Sequence, residues 1–272
     1  MSTSNELMVE KRATSVERAA AALYAARSSG KPCAPVRTEL PEMDVAAAYA
    51  VQDIGTNRML ADGRRLVGRK IGLTSPVVQN QLGIDQPDYG MLFDDMDVPL
   101  GTVIPWNRVL QPKVEAEMAF IMGSALNDER LTSADVIASI GYVVAAIEIV
   151  GSRIAEWDIR LVDTIADNAS SGLFVIGHEV RKLNQFDVVA ATMTMTRTKE
   201  VVSRGSGAAC MGSPVSALLW LARTMARLGR PLDRGDIVLS GALGPMTTVT
   251  PGDVYEARIE NLGNVKIAFG ED

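Results

Sequence analysis

Residues 114–122 read VEAEMAFIM, and residues 142–151 read YVVAAIEIVG. In the first stretch Glu115, Glu117, Ala119 and Ile121 share one face of an extended chain, so that face runs from charged into apolar. The two glutamates' Cβ atoms stand roughly 6–7 Å apart in such a strand. Like charges held that close raise each other's energy unless protons, a basic partner or a cation intervene. A solvated face of an edge strand is the plainer alternative. The second stretch is an apolar run with one ionisable residue, Glu148. A carboxylate taken out of water is costly, so Glu148 is protonated, salt-bridged or bound to metal. Three carboxylates on two neighbouring strands make a hard-oxygen, net-negative site suited to Mg²⁺ or Mn²⁺, with room for water and a chelating substrate. An ion pair of Glu148 with Arg153 or Lys113 is the competing structural reading.

Outward from these strands the texture is mostly β. From residue 66 short β-like runs recur between turn residues: LVGRKIGL, TVIPW, GLFVIG, VVAATMTMTR, GDIVLSG, DVYEARIENLG and NVKIAFG. One long helical pattern, SPVSALLWLARTMARLG at 213–229, interrupts them. Upstream, Thr14 and Glu17 form a capping-box pattern ahead of an Ala-rich helix that stops at Gly30. A second helix runs from an N-cap at Asp44 to a stop at Gly63. This predicts an α+β chain: an N-terminal helical region over 1–64 packed on a mainly β, barrel-like catalytic core over 65–272. Regular βα alternation, GxGxxG and GxxxxGK[ST] are all missing, so neither a doubly wound sheet nor a nucleotide cofactor is expected.

Charge and composition narrow the function. A formal net charge of −6 and a pI near 5.0 argue against nucleic acid. Cys33 and Cys210 stand far apart without CxxC spacing, which suggests neither a disulfide framework nor a zinc site. The polar N-terminus and the lack of an apolar run near ~18 residues point to a cytoplasmic protein without a membrane partner. The single histidine, His178, makes a His-based triad or a His-rich metal site a poor reading. Acid–base work then falls to carboxylates, lysine, metal or water. In LVGRKIGL, Lys70 shares a face with Gly68 and Gly72, which leaves space above it for a ligand. A surface lysine on an edge strand fits the same fragment. In GIDQPDYG, turn chemistry alone accounts for Asp85 and Asp88.

These residues also carry a resemblance. GRRLVGRKIGLTSPVVQNQLGIDQPDYGMLFDDM (63–96), VLQPKVEAEMAF (109–120), AAIEIVGSRIAEWDIRLVDTIADNASSG (145–172) and GDIVLSGALGPM (235–246) together resemble the 2-keto-4-pentenoate hydratase family of the fumarylacetoacetate-hydrolase-like superfamily. The similarity spans the chain from about residue 15 to 270. It implies a distorted β-barrel-like core, and a divalent cation, Mg²⁺ or Mn²⁺, on Glu115, Glu117 and Glu148. It implies an active-site role for Lys70 in catalysis and substrate binding, acid–base work for Asp88, and substrate contact for Ser170. The implied reaction is hydration of 2-hydroxypenta-2,4-dienoate (2-oxopent-4-enoate) to 4-hydroxy-2-oxopentanoate in meta-cleavage degradation of aromatic compounds. Implied partners are further copies of the chain, in a pentamer-based ring, and a downstream aldolase.

The sister branch, 4-oxalocrotonate decarboxylase, resembles GLKMGLT and DSR followed by an aromatic, whereas this chain has GRKIGLT and GSRIAEWDI. A C–C bond hydrolase, expected to use a His/Glu pair, and a non-catalytic subunit of a hydratase assembly are further alternatives. One departure from the family is MGSP at 211–214, where many relatives carry Gly-His-Pro. Ser213 still serves as an N-cap there.

Overall fold

A computed structural model of the chain describes residues 2–40, 44–75, 79 and 86–271, with side chains from residue 13 onward. Asp85 lies outside the described residues. Two helices come first, α1 (Ser2–Ser29) and α2 (Val45–Ala61). The strands and helices that follow are β1 (Leu66–Gly72), β2 (Asp88–Phe93), β3 (Val103–Ile104), β4 (Lys113–Met122), α3 (Ser133–Ser139), β5 (Ile140–Val150), α4 (Leu161–Ala166) and β6 (Leu173–Ile176). The chain ends with β7 (Thr192–Arg197), β8 (Glu200–Ser206), α5 (Pro214–Arg227), β9 (Ile237–Leu239), β10 (Thr247–Thr248), β11 (Val254–Ile259) and β12 (Gly263–Phe269).

Among the described residues the strands form two mixed sheets. One runs β2-β1-β9-β4-β5-β6, with β10 added alongside β4; the other runs β3-β12-β11-β7-β8. Only β1–β9 and β3–β12 pair in parallel; the other pairs are antiparallel. The α+β architecture read from the sequence is thus the observed one. Residues 143–150 are buried without interruption. A strand covered on both faces needs a continuous apolar run rather than alternation, which is what VVAAIEIV supplies. One face of β5 packs against β11 and β12 of the second sheet. Phe93, Phe120, Phe174, Tyr255 and Met118 belong to one large apolar core and have almost no exposure. Each such side chain contributes about 1.5–3 kcal/mol by leaving water.

A second apolar cluster joins Val16, Ala19 and Leu23 of α1 to Ala48 and Val51 of α2 and to Leu161, Val162 and Ile165 of α4. The N-terminal helices therefore hold α4 against the sheet from outside.

Several local expectations change. The helix at the N-terminus begins at Ser2, not at the Thr14/Glu17 capping pattern, because the helix continues through that pattern without a break. It ends as expected, with Gly30 taking φ +69°. Asp44 caps α2 by accepting from the Ala47 amide at 2.9 Å, and Ser213 caps α5 by accepting from the Val215 amide at 3.3 Å. The segment around Asp88, read as a turn, opens strand β2, where Asp88 pairs with Gly72 and Gly90 with Lys70. Lys70 is not on an edge: β1 lies between β2 and β9, and the lysine is 4% exposed. The short helices α3 and α4 carry too few turns for a periodic pattern to show.

Candidate active site

Register builds the site. Glu115 of β4 lies directly opposite Glu148 of β5, and Glu117 opposite Ala146. With the strand period of two, all three carboxylates gather on one face of the ladder. One oxygen from each of Glu115, Glu117 and Glu148 lies within 4.8 Å of the others. Glu117 Oε2 accepts a hydrogen bond from the Gly241 amide at 2.8 Å. Gly241, with φ +99°, sits in the SGALG loop after β9, and a Cβ there would meet Thr74 Oγ1 at 2.4 Å. Only glycine satisfies both conditions.

Lys70 reaches the cluster from β1. Its Nζ stands 3.3 Å from Glu148 Oε2. The competing partners are engaged elsewhere: Arg153 binds Asp167, and Lys113 Nζ lies over the Trp157 ring, 4.2 Å from its centre. Burial alone would depress the Lys70 ammonium, but Glu148, then Asp88, Glu115 and Glu117, hold it above its ordinary range. The carboxyls move the other way. Burial, only partly offset by Lys70, raises Glu148 from 4.5 to about 7. Burial and the neighbouring Glu148 and Glu115 push Glu117 well above its ordinary value. Glu115 is raised by burial against Lys70. Asp88 is also raised by burial, opposed chiefly by the Lys70 charge.

Both Glu148 oxygens, Glu117 Oε1 and Asp88 Oδ1 are buried and accept no well-formed hydrogen bond among the described residues, Lys70 meeting Glu148 Oε2 only as an ion pair. Each such group costs about 1–3 kcal/mol, more when charged. A convergent set of hard, acceptor-only oxygens with one lysine for four carboxyls fits a divalent cation.

Asp88 approaches across glycine. A Cβ on Gly72 would lie 2.1 Å from Asp88 Oδ1 and 3.5 Å from Lys70 Nζ, so the bare backbone makes room for both charged groups. Ser170 arrives on a turn in which Asn168, Ala169 and Ser170 take φ of 56°, 50° and 57°. Left-handed backbone costs non-glycine residues about 1–2 kcal/mol each. Tertiary bonds hold it: Asn168 Oδ1 accepts from the Met91 amide (2.7 Å), and Asn168 Nδ2 donates to the Met91 carbonyl (2.9 Å). Arg153 adds bonds to Asp167 and to the Ser171 carbonyl, the latter at 2.7 Å. The Ser170 hydroxyl ends 3.2 Å from Thr164 Oγ1.

Lys70, Asp88, Glu115, Thr164 and Ser170 line one cavity of about 730 Å³, whose walls include Leu73, Ile159, Leu161 and Met246. Glu117 and Glu148 lie just beneath it, behind Glu115 and Lys70. All six residues singled out from the sequence thus meet at one place. His178 is exposed and takes no part. Sequence reasoning missed Thr164, the Trp157–Lys113 pair and the Gly241 amide. None of them carries a local signal, since their proximity to the carboxylates is created by the fold.

Comparison with known proteins agrees with this geometry. The fumarylacetoacetate (FAA) hydrolase C-terminal family matches residues 82–269. The TodF product hydratase of Pseudomonas putida strain F1 is 57% identical over 260 residues, 96% of this chain and 97% of that protein. The 2-keto-4-pentenoate hydratase of Paraburkholderia xenovorans strain LB400 is 53% identical, over 93% of this chain and 94% of its own. Among solved structures, 4-oxalocrotonate decarboxylase from Pseudomonas putida G7, complexed with magnesium and adipate, superposes with a TM-score of 0.88 at 33% identity, covering 93% of this chain and 97% of that one. The chain therefore belongs to the fumarylacetoacetate hydrolase C-terminal family, and within it to the 2-keto-4-pentenoate hydratases.

Proposed function

We infer that the protein is a metal-dependent hydro-lyase that hydrates 2-hydroxypenta-2,4-dienoate to 4-hydroxy-2-oxopentanoate, serving meta-cleavage degradation of aromatic compounds. The observation that carries this reading is the convergence of Glu115, Glu117 and Glu148 beside Lys70 and Asp88, in a chain more than half identical to named hydratases. Glu115, Glu117 and Glu148 would hold the cation, with Mg²⁺ favoured by the magnesium of the decarboxylase relative and Mn²⁺ as the alternative. When bound it supplies positive charge that lowers the cost of enolate character at the substrate's 2-oxygen.

The chain's own groups do the rest. Lys70, buried and kept charged by the carboxyls around it, orients the substrate's carboxylate or enol oxygen. Asp88, whose buried carboxyl has a raised proton affinity, takes and returns protons at the reacting carbons. Ser170 contacts substrate from the cavity wall beside Thr164. The apolar walls keep bulk water from this exchange.

The intact cluster speaks against a non-catalytic subunit, and the 33% identity of the decarboxylase against 53–57% for the hydratases favours hydration over decarboxylation. No helix among the described residues is long and apolar enough to cross a membrane. A cytoplasmic location, assembly into a pentamer-based homo-oligomer and association with a downstream aldolase complete the reading, and light scattering tests the assembly.

The deciding experiment is a spectrophotometric assay of metal-stripped protein with freshly generated 2-hydroxypenta-2,4-dienoate. Loss of the dienol only when Mg²⁺ or Mn²⁺ is added, with 4-hydroxy-2-oxopentanoate as product, is the expected result. Turnover of 2-oxohex-3-enedioate with CO₂ release, and none of the dienol, would overturn it.

A further inference from the structure

The substrate of the hydration inferred above, on which this assignment rests, offers two kinds of oxygen. A 2-oxo acid that chelates a cation through its 2-oxygen and one carboxylate oxygen presents a second carboxylate oxygen that the chelate leaves free. That free oxygen carries the same charge throughout the reaction. The 2-oxygen gains charge only as enolate character develops. The two therefore call for separate cationic partners. Lys70 is one, and a second lysine stands at the other end of the carboxylate row.

Lys113, Glu115 and Glu117 alternate along β4 and so share one face. Exposure falls along it: Lys113 and Glu115 are half-buried, and Glu117 is fully buried. Lys113 thus marks the open end of the row, and it lines the cavity together with Glu115. Lys70 meets the cluster at its closed end, 3.3 Å from Glu148 Oε2. The Lys113 ammonium makes no ion pair or hydrogen bond among the described residues. It is seated instead on the Trp157 ring, 4.2 Å from the ring centre. A ring face occupies one side of an ammonium and leaves part of its three N–H donors for an anion.

That seat is built at a cost. Gln111, Glu156 and Trp157 take φ of 52°, 59° and 56°, conformations that non-glycine residues keep only where other bonds enforce them. Gln111 supplies those bonds. Its carbonyl accepts from the Trp157 indole N–H at 2.9 Å, and its side-chain oxygen accepts from the Glu156 amide at 2.8 Å. Its side-chain nitrogen donates to the Ser152 and Ile154 carbonyls at 2.9 and 2.7 Å. Core packing does not call for this device, because the Trp157 ring is only half-buried and lines the cavity. Strained backbone held at a cavity wall, aiming one ring under one free ammonium, is suited to clamping a ligand.

We propose that Lys113, positioned by Trp157, binds the free oxygen of the substrate's C1 carboxylate and so leaves Lys70 to the 2-oxygen. With C1 at the Lys113 end, C3 to C5 turn toward Lys70 and Asp88, which come from β1 and β2. Contact with a charge that does not change stabilises bound substrate and transition state alike. Lys113 therefore sets KM, whereas Lys70, beside the charge that develops, sets kcat.

Two chelators separate this contact from turnover. Pyruvate chelates a cation and keeps a free carboxylate oxygen. Acetohydroxamate also chelates as a monoanion but has no carboxylate, so it controls for the general loss of positive charge. Both are titrated calorimetrically into Mg²⁺-loaded protein. Lys113→Met, which keeps the stem and removes the charge, should weaken pyruvate about 10- to 100-fold and acetohydroxamate less than about threefold, with Mg²⁺ binding no weaker. It should raise KM for the dienol about 10- to 100-fold and leave kcat within about threefold, while Lys70→Met lowers kcat. Lys113→Arg should recover pyruvate binding to within about fivefold. Trp157→Leu should weaken pyruvate about fivefold, and Trp157→Phe, which keeps a ring, less than about twofold. Equal weakening of both chelators, undiminished pyruvate binding in Lys113→Met, or a fall in kcat at unchanged KM overturns the assignment. If Lys113→Met does not fold, Lys113→Gln decides on the same readings. Wild-type protein that binds pyruvate through Lys113 but does not hydrate the dienol would refute the hydratase reading and leave the carboxylate seat standing.

Discussion

Raising the pH of the cation-free protein from about 5 to about 8 should destabilise it, the reverse of what surface carboxylates do. Burial lifts Glu148 from 4.5 to about 7, so the folded state keeps a proton that the unfolded chain has released. The stability tied to this proton is complete below pH 4.5 and is lost as pH climbs through about 7. At 1.36 kcal/mol for each tenfold change in proton affinity, Glu148 alone accounts for about 3 kcal/mol. For a chain of this size that is about 6–12 °C in Tm. Glu115, Glu117 and Asp88 are raised by the same burial and steepen the fall. Lys70 is raised above 10.5, so its contribution is constant across the window. The exposed Asp128, Asp135 and Asp187 are lowered by local hydrogen bonds and act below it. A divalent cation reverses the trend, because it binds the ionised carboxyls; at a hundredfold excess over Kd it adds about 2.7 kcal/mol. Thermal melts of chelator-treated protein across this range, with and without Mg²⁺, read both effects. Glu117→Gln provides the control, since its amide oxygen still accepts from the Gly241 amide. It should raise the cation-free Tm at pH 8 and abolish the gain from Mg²⁺. A cation-free Tm that rises across the window, or a Mg²⁺ gain as large at pH 5 as at pH 8, would refute the reasoning.

Further expectations concern single side chains. Glu115→Gln should lose both cation binding and turnover, whereas Asp88→Asn should keep the cation affinity and slow turnover about 10²–10⁴-fold; calorimetric titration alongside the assay separates them. Gly72→Ala places a methyl 2.1 Å from Asp88 Oδ1 and should displace the carboxyl, lowering turnover while Mg²⁺ binding persists. Asn168→Ala removes both bonds to Met91 under the left-handed turn. It should cost about 1–3 kcal/mol in denaturant unfolding and raise KM through a displaced Ser170.

The carboxylates were legible in the sequence because their signals are local. Period two puts Glu115 and Glu117 on one face, and an apolar run with one acid isolates Glu148. That Glu148 pairs in register with Glu115 was not legible, since register is set between strands rather than along them. Lys70 stood out between glycines, yet whether β1 was an edge depended on β2, and β2 was hidden by the turn-like Pro87 and Gly90. Asp88 shows the limit most clearly: turn chemistry explains the fragment, and only pairing with Gly72 makes it a strand that aims the carboxyl at Lys70. The family resemblance supplied what the fragment withheld. Nothing local announces three consecutive left-handed residues at 168–170, because the bonds that hold them come from Met91 and Arg153, more than seventy residues upstream in the first case.

The placement of these groups also separates stability from activity. A core chosen for stability alone would not bury four carboxyls against one lysine; hydrophobic residues of similar volume at Glu117 or Glu148 would suit the flanking Ala119, Ala146 and Phe174 better. The surrounding structure shows how the arrangement survives. β4 and β5 share a long antiparallel register, buried on both faces over most of its length, so the acids sit where the backbone is held most firmly. The other groups that line the cavity are carried differently. Asp88 opens a strand, and Ser170 and Thr164 ride on a turn and a short helix pinned by Asn168 and by the N-terminal helices. Rigid strands fix where charge is held, while the separately anchored α4 and the 168–170 turn shape the cavity wall beside it. Variants in α1 and α2 that loosen their packing on α4 should therefore alter turnover before they alter cation affinity.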